Sequence, residues 1–179
     1  MTESQQPGGL AQPPAGRPYM PDYGVLDVQS GRGLLPWDWA TARLASARNY
    51  WIATARPDGQ PHMMPVWGVW LDGTFYFSTG GQSRKARNLA VDPRCVVCPE
   101  QADEAVILEG VAEQVTDLAL LRQVAAVFSD KYQWRLEPTA EGVRDQHGNR
   151  GPVFAVHPRV VFGWSEFPQN ATRWQINDD

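Results

Sequence analysis

Alternation between apolar and polar side chains is strongest in the middle of the chain, where it predicts a run of β-strands. The segment YWIATAR (50–56) is rich in aromatic and β-branched residues, and PHMMPVWGVWL (61–71) is a second extended segment. The turn signal PDGQ separates these two segments, and Asp72-Gly73 marks a tight hairpin before TFYFST (74–79). The three segments therefore predict three consecutive strands that form a β-meander.

Apolar positions with helical spacing occur at three other places. LPWDWATARLASARN (35–49) has a proline near its start and good helix formers after it, so it predicts a first helix. A short second helix should begin at Ser83 and end before the Asp-Pro pair at 92–93. Asp117 is suited to cap a third, amphipathic helix that runs to about Tyr132.

Three further segments have the character of strands: RCVVCP (94–99), AVILEGVAEQVT (105–116) and PVFAVHPRVVFGWSE (152–166). The last of these is long enough for one long strand or two short ones. Residues 134–151 carry six charges and three glycines with little apolar periodicity. That composition predicts a mobile loop or lid.

The order of these elements predicts a mainly β fold with peripheral helices. Six or seven mostly antiparallel strands are expected, a number that suits a small barrel. Residues 1–22 are rich in proline and glycine and hold few apolar side chains, so we expect a disordered N-terminal arm there. Residues 23–179 should then form a single domain.

Composition and charge limit the partners of such a domain. The chain has 179 residues, of which 42% are hydrophobic and 20% charged, and its formal net charge is −4. A general nucleic-acid or anionic-membrane surface needs a basic face, so neither partner is expected. With no apolar run of about 20 residues and no signal segment, we expect a cytoplasmic protein that does not enter the membrane.

Metal and nucleophile chemistry find little support in the sequence. Cys95 and Cys98 are three apart on a predicted strand and point to opposite faces, and His62, His147 and His157 do not have metal-ligand spacing. No metal site is therefore expected. No Ser/His/Asp or Cys/His set is recognisable, so the sequence nominates no catalytic residue.

One short segment, STGGQSRKARNL (78–89), concentrates positive charge in this acidic chain. Ser83 is a good N-cap, which makes Arg84 and Lys85 the first two helical residues and puts Arg87 in the same turn. Cations at a helix N-terminus oppose the helix dipole by about 0.3–1 kcal/mol each. The arrangement is therefore disfavoured unless an anion binds there.

A bound phosphate would reverse the sign of that interaction. Free backbone N–H groups, the hydroxyls of Thr79 and Ser83 and the cationic side chains would converge on its oxygens. The Gly80-Gly81 pair would let the backbone approach such a ligand closely. The alternative is a basic helix end whose charges are simply solvated.

The motifs around this segment resemble a known family. PDGQPHMMPVW (57–67) followed by STGGQSRKARNLAVDPR (78–94) resembles the core of the pyridoxamine 5'-phosphate oxidase-like split β-barrel proteins. The pattern is most similar to flavin/deazaflavin oxidoreductases of group B, which depend on coenzyme F-420. The ending ATRWQI (171–176) resembles the C-terminal segment of that branch, and the resemblance covers about residues 35–176.

The resemblance implies an FMN-binding-like split β-barrel that forms a homodimer, with an elongated cofactor in a groove at the subunit interface. The cofactor's phosphate would contact Thr79, Ser83, Arg84 and Lys85, with Arg87 as a further contact. The segment Met64, Pro65, Val66 and Trp67 would pass along its ring system. Trp164, Arg173 and Trp174 would come near the pocket from the same subunit or its partner.

The implied function is an oxidoreductase that transfers a hydride between reduced F-420 and an unsaturated small molecule such as an enone, quinone or tetrapyrrole. An FMN-dependent oxidase or reductase is the nearest alternative, because FMN also carries one phosphate and a planar ring. A non-catalytic flavin, deazaflavin or haem-binding protein is a second alternative, for which only His62 or His157 could ligate haem. Strand alternation also allows Met64 and Trp67 to be barrel core rather than ligand contacts.

Overall fold

A computed structural model describes residues 12–23 and 32–176 of the chain. Three helices lie within these residues: α1 (Trp37–Ser46), α2 (Arg84–Leu89) and α3 (Leu118–Tyr132). Each agrees with a helix predicted from the sequence. The predicted N-cap residues of α2 and α3 are also confirmed, because the Ser83 and Asp117 side chains accept hydrogen bonds from the first turns of their helices.

Most of the strands belong to one antiparallel sheet. Its members are β1 (Ala15–Gly16), β2 (Tyr50–Ala55), β3 (Pro61–Val66), β4 (Gly68–Leu71), β5 (Thr74–Ser78), β6 (Arg94–Pro99), β7 (Ala105–Gln114), β11 (Val153–Trp164) and β12 (Thr172–Gln175). A second antiparallel sheet consists of β8 (Leu136–Thr139), β9 (Gly142–Asp145) and β10 (Arg150–Gly151).

Seven of these strands close into a barrel. β2 pairs with β3, β4 with β5, β5 with β11, β11 with β7, β7 with β6, and β6 returns to β2. β3 and β4 complete the circuit because they follow each other directly in the chain, separated only by Trp67. The predicted mainly β fold with peripheral helices is confirmed, as is the split barrel.

The break at Trp67 differs from the single strand that the sequence predicted for residues 61–71. The chain changes its pairing partner there, from β2 on one side to β5 on the other. Two prolines, Pro61 and Pro65, lack the N–H needed for continuous pairing, so β3 pairs with one neighbour only. Side-chain alternation therefore does not continue from β3 into β4.

The prediction of a mobile loop or lid at 134–151 was wrong. β8, β9 and β10 form a three-stranded sheet there, and β8 packs against α3. Its strands are short and carry charged side chains on an exposed face, so they lack the apolar alternation that signals a strand in a sequence.

The predicted disordered arm, residues 1–22, is only partly described, since residues 1–11 lie outside the described part. Disorder does not extend to Ala15 and Gly16, which pair with Trp174 and Arg173 of β12. Arg17 adds a hydrogen bond of 3.1 Å from Nη1 to the carbonyl of Ala171. Backbone pairing with β12, rather than a run of large apolar side chains, accounts for the order of this stretch.

Two apolar clusters fill the structure. The first lies inside the barrel and includes Tyr50, Ile52, Phe75 and Phe77. The second lies between α3, β4, β5 and the small sheet and includes Leu121 and other buried side chains of α3. The small sheet is thus held to the barrel by a core of its own.

Polar contacts fasten the C-terminal end of α3 to the barrel at the break between β3 and β4. Lys131 Nζ donates to the carbonyls of Ala45 (3.0 Å) and Gly68 (3.1 Å) and to the Tyr50 hydroxyl (2.8 Å). Burial lowers the pKa of Lys131 to about 8. The Tyr132 hydroxyl donates to the Gly68 carbonyl at 2.8 Å and accepts from the Gly68 N–H at 2.9 Å, so both main-chain polar groups of Gly68 are held in place.

None of the helices in the described part of the chain is long and apolar enough to cross a membrane.

The packing around Gly68 gives a test of the barrel closure. A Cβ atom at Gly68 would lie 2.2 Å from the ring of Phe75, which is fully buried and has no room to move. We expect Gly68→Ala to lower the free energy of unfolding by about 1–3 kcal/mol through overpacking, measured by urea denaturation. Gly16→Ala is the control, because no atom lies within 4 Å of its Cβ position and stability should hardly change. Equal stability of the two variants would contradict the described closure.

Candidate functional site: a cationic turn beside the barrel

The turn that joins β5 to α2 is organised by two hydroxyl groups. Ser83 Oγ accepts from the Ala86 N–H at 3.2 Å and from the Thr79 hydroxyl at 3.1 Å. With both acceptor positions of Ser83 occupied, its own hydroxyl proton stays available for donation. Thr79 and Ser83 therefore lie together, as the sequence predicted, and leave one donor for an anion.

The backbone of this turn is open to a ligand. Ser83 N donates to the Gly80 carbonyl at 2.9 Å, which closes the turn. Among the described residues, the N–H groups of Gly81, Gln82 and Arg84 donate to no acceptor across this turn. No atom lies within 4 Å of a Cβ position at Gly80, so an oxyanion could approach the main chain there.

The cationic side chains of α2 are unpaired. Within the described residues, Arg84, Lys85 and Arg87 form no side-chain hydrogen bond and no salt bridge. Arg84 is exposed and Lys85 is half-buried, and burial lowers the pKa of Lys85. Two positive charges therefore stand at the start of α2 with no carboxylate to balance them.

Arg87 belongs to both turns of this short helix. Its N–H closes the first turn on the Ser83 carbonyl at 3.1 Å, and because α2 has only six residues Arg87 also lies in the last turn. The helix dipole favours a cation at that end. Arg87 is exposed and so needs no anion to be stable where it stands.

A buried hydrogen bond fixes α2 against the inner face of the barrel wall. Asn88 Nδ2 donates to the Thr54 hydroxyl at 2.9 Å, and both side chains are almost fully buried. Thr54 lies directly opposite His62 in the β2–β3 pair, and Ile52 lies opposite Met64. Opposed residues share a face, so His62 and Met64 are on the same side of β3 as the residues that contact α2.

His62 is the residue of this site that was missing from the predicted set. Partial burial lowers its pKa, and the cations Arg56, Lys85 and Arg84 lower it further. Its Nδ1 atom is shielded from solvent and has no hydrogen-bond partner within the described residues. The alternation of β3 that pairs it with Met64 was the available signal, but its proximity to α2 depends on the fold.

The predicted ring-contact segment is divided among three environments. Met64 is 45% exposed on the same face as His62, whereas Val66 is buried in the barrel core. Pro65 lies on the outer face, opposite Trp51. Trp67 stacks on Tyr132 with ring centroids 4.7 Å apart, in the second apolar cluster. Of these four, Met64 is therefore the exposed side chain that shares a face of β3 with His62.

The C-terminal residues predicted near the pocket lie far from the turn within one protomer. Arg173 pairs with Phe162 of β11, whereas Ser78, which leads into the turn, pairs with Val153. Nine residues along a strand separate these positions by about 30 Å. Within one protomer, Arg173 therefore does not take part in the cluster of side chains at this turn.

The side chains of Trp174 and Trp164 differ in how far they are exposed to a ligand. Trp174 is fully buried in the barrel core, where its ring meets Trp37 edge-on at 5.6 Å. Its side chain therefore has no surface open to a ligand in the single protomer. Trp164 ends β11, is half-buried, and packs against Phe167 at 5.4 Å.

A cavity of about 310 Å³ adjoins the turn on the side of the small sheet. Ser78, Thr79 and Gly80 form one wall, and Trp67, Trp134 and Arg150 are among the other lining residues. The main chain at Gly151 lies directly against this wall, because a Cβ atom at Gly151 would be only 2.1 Å from the Thr79 carbonyl oxygen. Sequence reasoning missed Trp134 and Arg150 because it assigned 134–151 to a loop.

The described residues include no group of three or more His, Cys, Asp or Glu side chains that could hold a metal ion.

The split barrel and its cationic turn correspond to a known class of protein. Residues 38–164 match the family model described as pyridoxamine 5'-phosphate oxidase. The chain therefore belongs to the pyridoxamine 5'-phosphate oxidase family of split-barrel proteins. No curated protein matches it.

Solved structures with the same fold include proteins whose names refer to different cofactors. The conserved hypothetical protein Rv2991 from Mycobacterium tuberculosis is 28% identical, with a TM-score of 0.61 over 73% of this chain and 85% of that one. A protein named F420 reductase is 21% identical (TM-score 0.51; 71% and 98% covered). An FMN-binding, pyridoxamine 5'-phosphate oxidase-related protein from Nostoc punctiforme is 20% identical (TM-score 0.55; 81% and 93% covered).

The unpaired charges at the start of α2 give a test that needs no ligand. We expect the double variant Arg84→Ala/Lys85→Ala to be slightly more stable than the parent, because each cation opposes the helix dipole by about 0.3–1 kcal/mol. Differential scanning calorimetry measures the change. Arg87→Ala is the matched control, since it removes the same charge from the favourable end of the same helix and should not stabilise. A clear fall in melting temperature of the double variant would mean that these cations are structural.

Proposed function

We propose that this protein is an oxidoreductase that binds coenzyme F-420 by its phosphate at the turn between β5 and α2. The observation that carries the proposal is the pair of unbalanced cations, Arg84 and Lys85, beside free backbone N–H groups and the free Ser83 hydroxyl proton. Such an arrangement costs free energy while empty and gains charge-assisted hydrogen bonds with a phosphate.

The residues present fit a phosphorylated, flavin-like cofactor. Arg84, Lys85 and Ser83 would hold the phosphate, and the open main chain at Gly80 would allow its oxygens to approach. The groove beside Met64 and His62 would take the next part of the molecule. The deazaflavin supplies hydride chemistry when bound, and the protein's part is to bind, orient and exclude water.

Two observations favour F-420 over FMN. The first is that the motifs PDGQPHMMPVW and STGGQSRKARNL resemble those of F-420-dependent enzymes. The fold itself does not decide, because a protein named F420 reductase and an FMN-binding protein both share it. F-420 also carries an oligoglutamyl tail, for which the exposed Arg87 is an available cation. FMN remains the second candidate, because an FMN-binding protein has the same fold and FMN carries an equivalent phosphate.

The substrate belongs to the class of unsaturated organic molecules that accept a hydride, such as an enone, a quinone or a tetrapyrrole. No side chain of the site is assigned to proton transfer. Specificity would come from the groove that positions the acceptor, since hydride transfer needs the reacting atoms held at about 3–3.5 Å.

A homodimer forms part of the proposal, with the cofactor at the subunit interface. The outer face of β2, β3, β6 and β7 supports it, because Trp51 and Met63 are 41% and 56% exposed there. A largely apolar depression of about 480 Å³ continues this face past Ala53, Val96 and Val111. A second copy would cover this surface and could bring its Arg173 to the site.

Equilibrium titration with F-420 and with FMN tests the cofactor assignment. We expect F-420 to bind more tightly than FMN, and Arg84→Ala/Lys85→Ala to weaken binding by about 3–6 kcal/mol, from about 1.5–3 kcal/mol for each charged hydrogen bond. Arg135→Ala/Arg144→Ala is the control, because it removes two positive charges from the small sheet away from the turn.

The cofactor that binds more tightly is then reduced, and its oxidation by a panel of enones and quinones is followed. Substrate-dependent oxidation supports the reductase, whereas binding without turnover supports a carrier. A Soret band in the purified protein, or equal cofactor affinity of the double variant and the parent, would contradict the assignment.

His62 gives this site a predicted pH dependence. Its lowered pKa means that the free protein holds His62 neutral at pH 7, but a bound phosphate would offset Arg56, Arg84 and Lys85 and raise that pKa. Binding should then take up a proton at His62, so affinity should rise as pH falls from 7.5 to 5.5. We expect His62→Gln to flatten this dependence, measured by FMN titration at several pH values.

Protonation of the phosphate itself, with a second pKa of about 6, affects both proteins equally and cancels in the comparison. Parallel pH profiles for the parent and His62→Gln would rule out His62 as the coupled group.

A further inference from the structure

The cavity between the cationic turn and the small sheet has an aromatic interior. Trp67 presents an indole that is stacked on Tyr132, and Trp134 meets Trp67 edge-on at 5.9 Å. Phe128, Leu136 and Val143 complete the apolar part of the lining. At about 310 Å³ the cavity is at the small end of the range for ligand sites, about 300–1,000 Å³. It therefore suits a small planar molecule of about two fused rings.

The walls of the cavity are held in fixed positions. Thr79 N and Ser78 Oγ donate to the Pro152 carbonyl at 3.3 and 3.1 Å, which joins the turn to the chain that leaves β10. On the opposite side, Leu136 N donates to Ser129 Oγ of α3 at 3.2 Å. The aromatic pocket is thus built by three elements and does not depend on a movable lid.

Two charged groups line the mouth, and only one of them lacks a partner. Asp145 accepts hydrogen bonds from the N–H groups of His147 and Asn149 (2.9 Å each) and from Asn149 Nδ2 (2.8 Å), so its own turn satisfies it. These bonds lower the pKa of Asp145. Arg150 forms no side-chain hydrogen bond and no salt bridge within the described residues. Arg150 is therefore the charged group of the cavity lining whose side chain is free to pair with an acid.

We propose that this cavity is a second ligand site, which binds a small planar aromatic acid with its rings among Trp67 and Trp134 and its carboxylate on Arg150. The guanidinium fork of arginine matches a carboxylate with two parallel hydrogen bonds. Aromatic side chains favour a flat apolar body. The cavity shares Thr79, Gly80 and Trp67 with the proposed cofactor contacts, whereas Trp134 and Arg150 belong to it alone. Our proposal is that both ligands bind together.

Binding of 2-naphthoate, measured by isothermal titration calorimetry on the full chain, tests this site without any cofactor. We expect saturable one-to-one binding that Arg150→Gln weakens about tenfold or more, since a charged hydrogen-bonded pair is lost. The neutral probe 2-naphthalenemethanol should bind the parent and Arg150→Gln equally. Trp134→Leu should weaken both probes, because it removes an aromatic wall while keeping an apolar side chain.

Arg135→Gln is the control, because it removes the same charge from a side chain that is 75% exposed and does not line the cavity. Its affinity for 2-naphthoate should equal that of the parent, and melting temperatures of all variants show whether each is folded. Absence of saturable binding, or affinity unchanged by both Arg150→Gln and Trp134→Leu, overturns the proposal.

Titration in the presence of saturating FMN or F-420 separates this inference from the proposed cofactor site. Unchanged 2-naphthoate affinity supports two separate sites. Competition between the two ligands would overturn the second site and would assign the cavity to the cofactor. Naphthoate binding that survives Arg84→Ala/Lys85→Ala supports this site even where cofactor binding fails.

Discussion

The structure depends on the pairing of β11 with three different neighbours. Its first four residues pair with β5, its last residues pair with β12, and nearly its whole length pairs with β7. Because β5 leads directly into the cationic turn, the start of β11 also fixes where that turn lies. The register change between Pro158 and Val160 lets one strand serve both ends of the sheet. The pairing of β11 therefore determines both the closure of the barrel and the position of the site.

At the site, the fold holds charges that the protein alone does not neutralise. The buried bond between Asn88 and Thr54 fixes α2, and α2 in turn places Arg84 and Lys85 close enough to His62 to act on its charge. Each of these cations lowers the pKa of His62, and none of them has a carboxylate partner among the described residues. Such mutual repulsion is tolerated in a marginally stable protein when a ligand compensates for it. The same logic applies to Arg150 at the neighbouring cavity.

Local signals predicted much of this structure from the sequence. Some elements are determined by only a few neighbouring residues, and these could be predicted. They are the helix caps at Ser83 and Asp117, the hairpin at Asp72-Gly73 and the strands rich in β-branched residues, and the fold class followed from them. The partner change at Trp67, the burial of Trp174 and the sheet at 134–151 depend on contacts between distant segments. The clustering of Thr79, Ser83, Arg84 and Lys85 could be predicted because they lie within seven residues of one another, whereas His62, Trp134 and Arg150 come near the turn only through folding.

Phosphate recognition at the turn between β5 and α2 is the central claim, and a comparison of FMN with riboflavin tests it most directly. Riboflavin has the same ring system and ribityl chain and lacks only the phosphate. If Arg84, Lys85 and Ser83 bind that group, FMN should bind the parent protein at least about a hundredfold more tightly, as expected for two or more charged hydrogen bonds. The difference should disappear in Arg84→Ala/Lys85→Ala. Equal affinities of FMN and riboflavin for the parent protein would contradict the account.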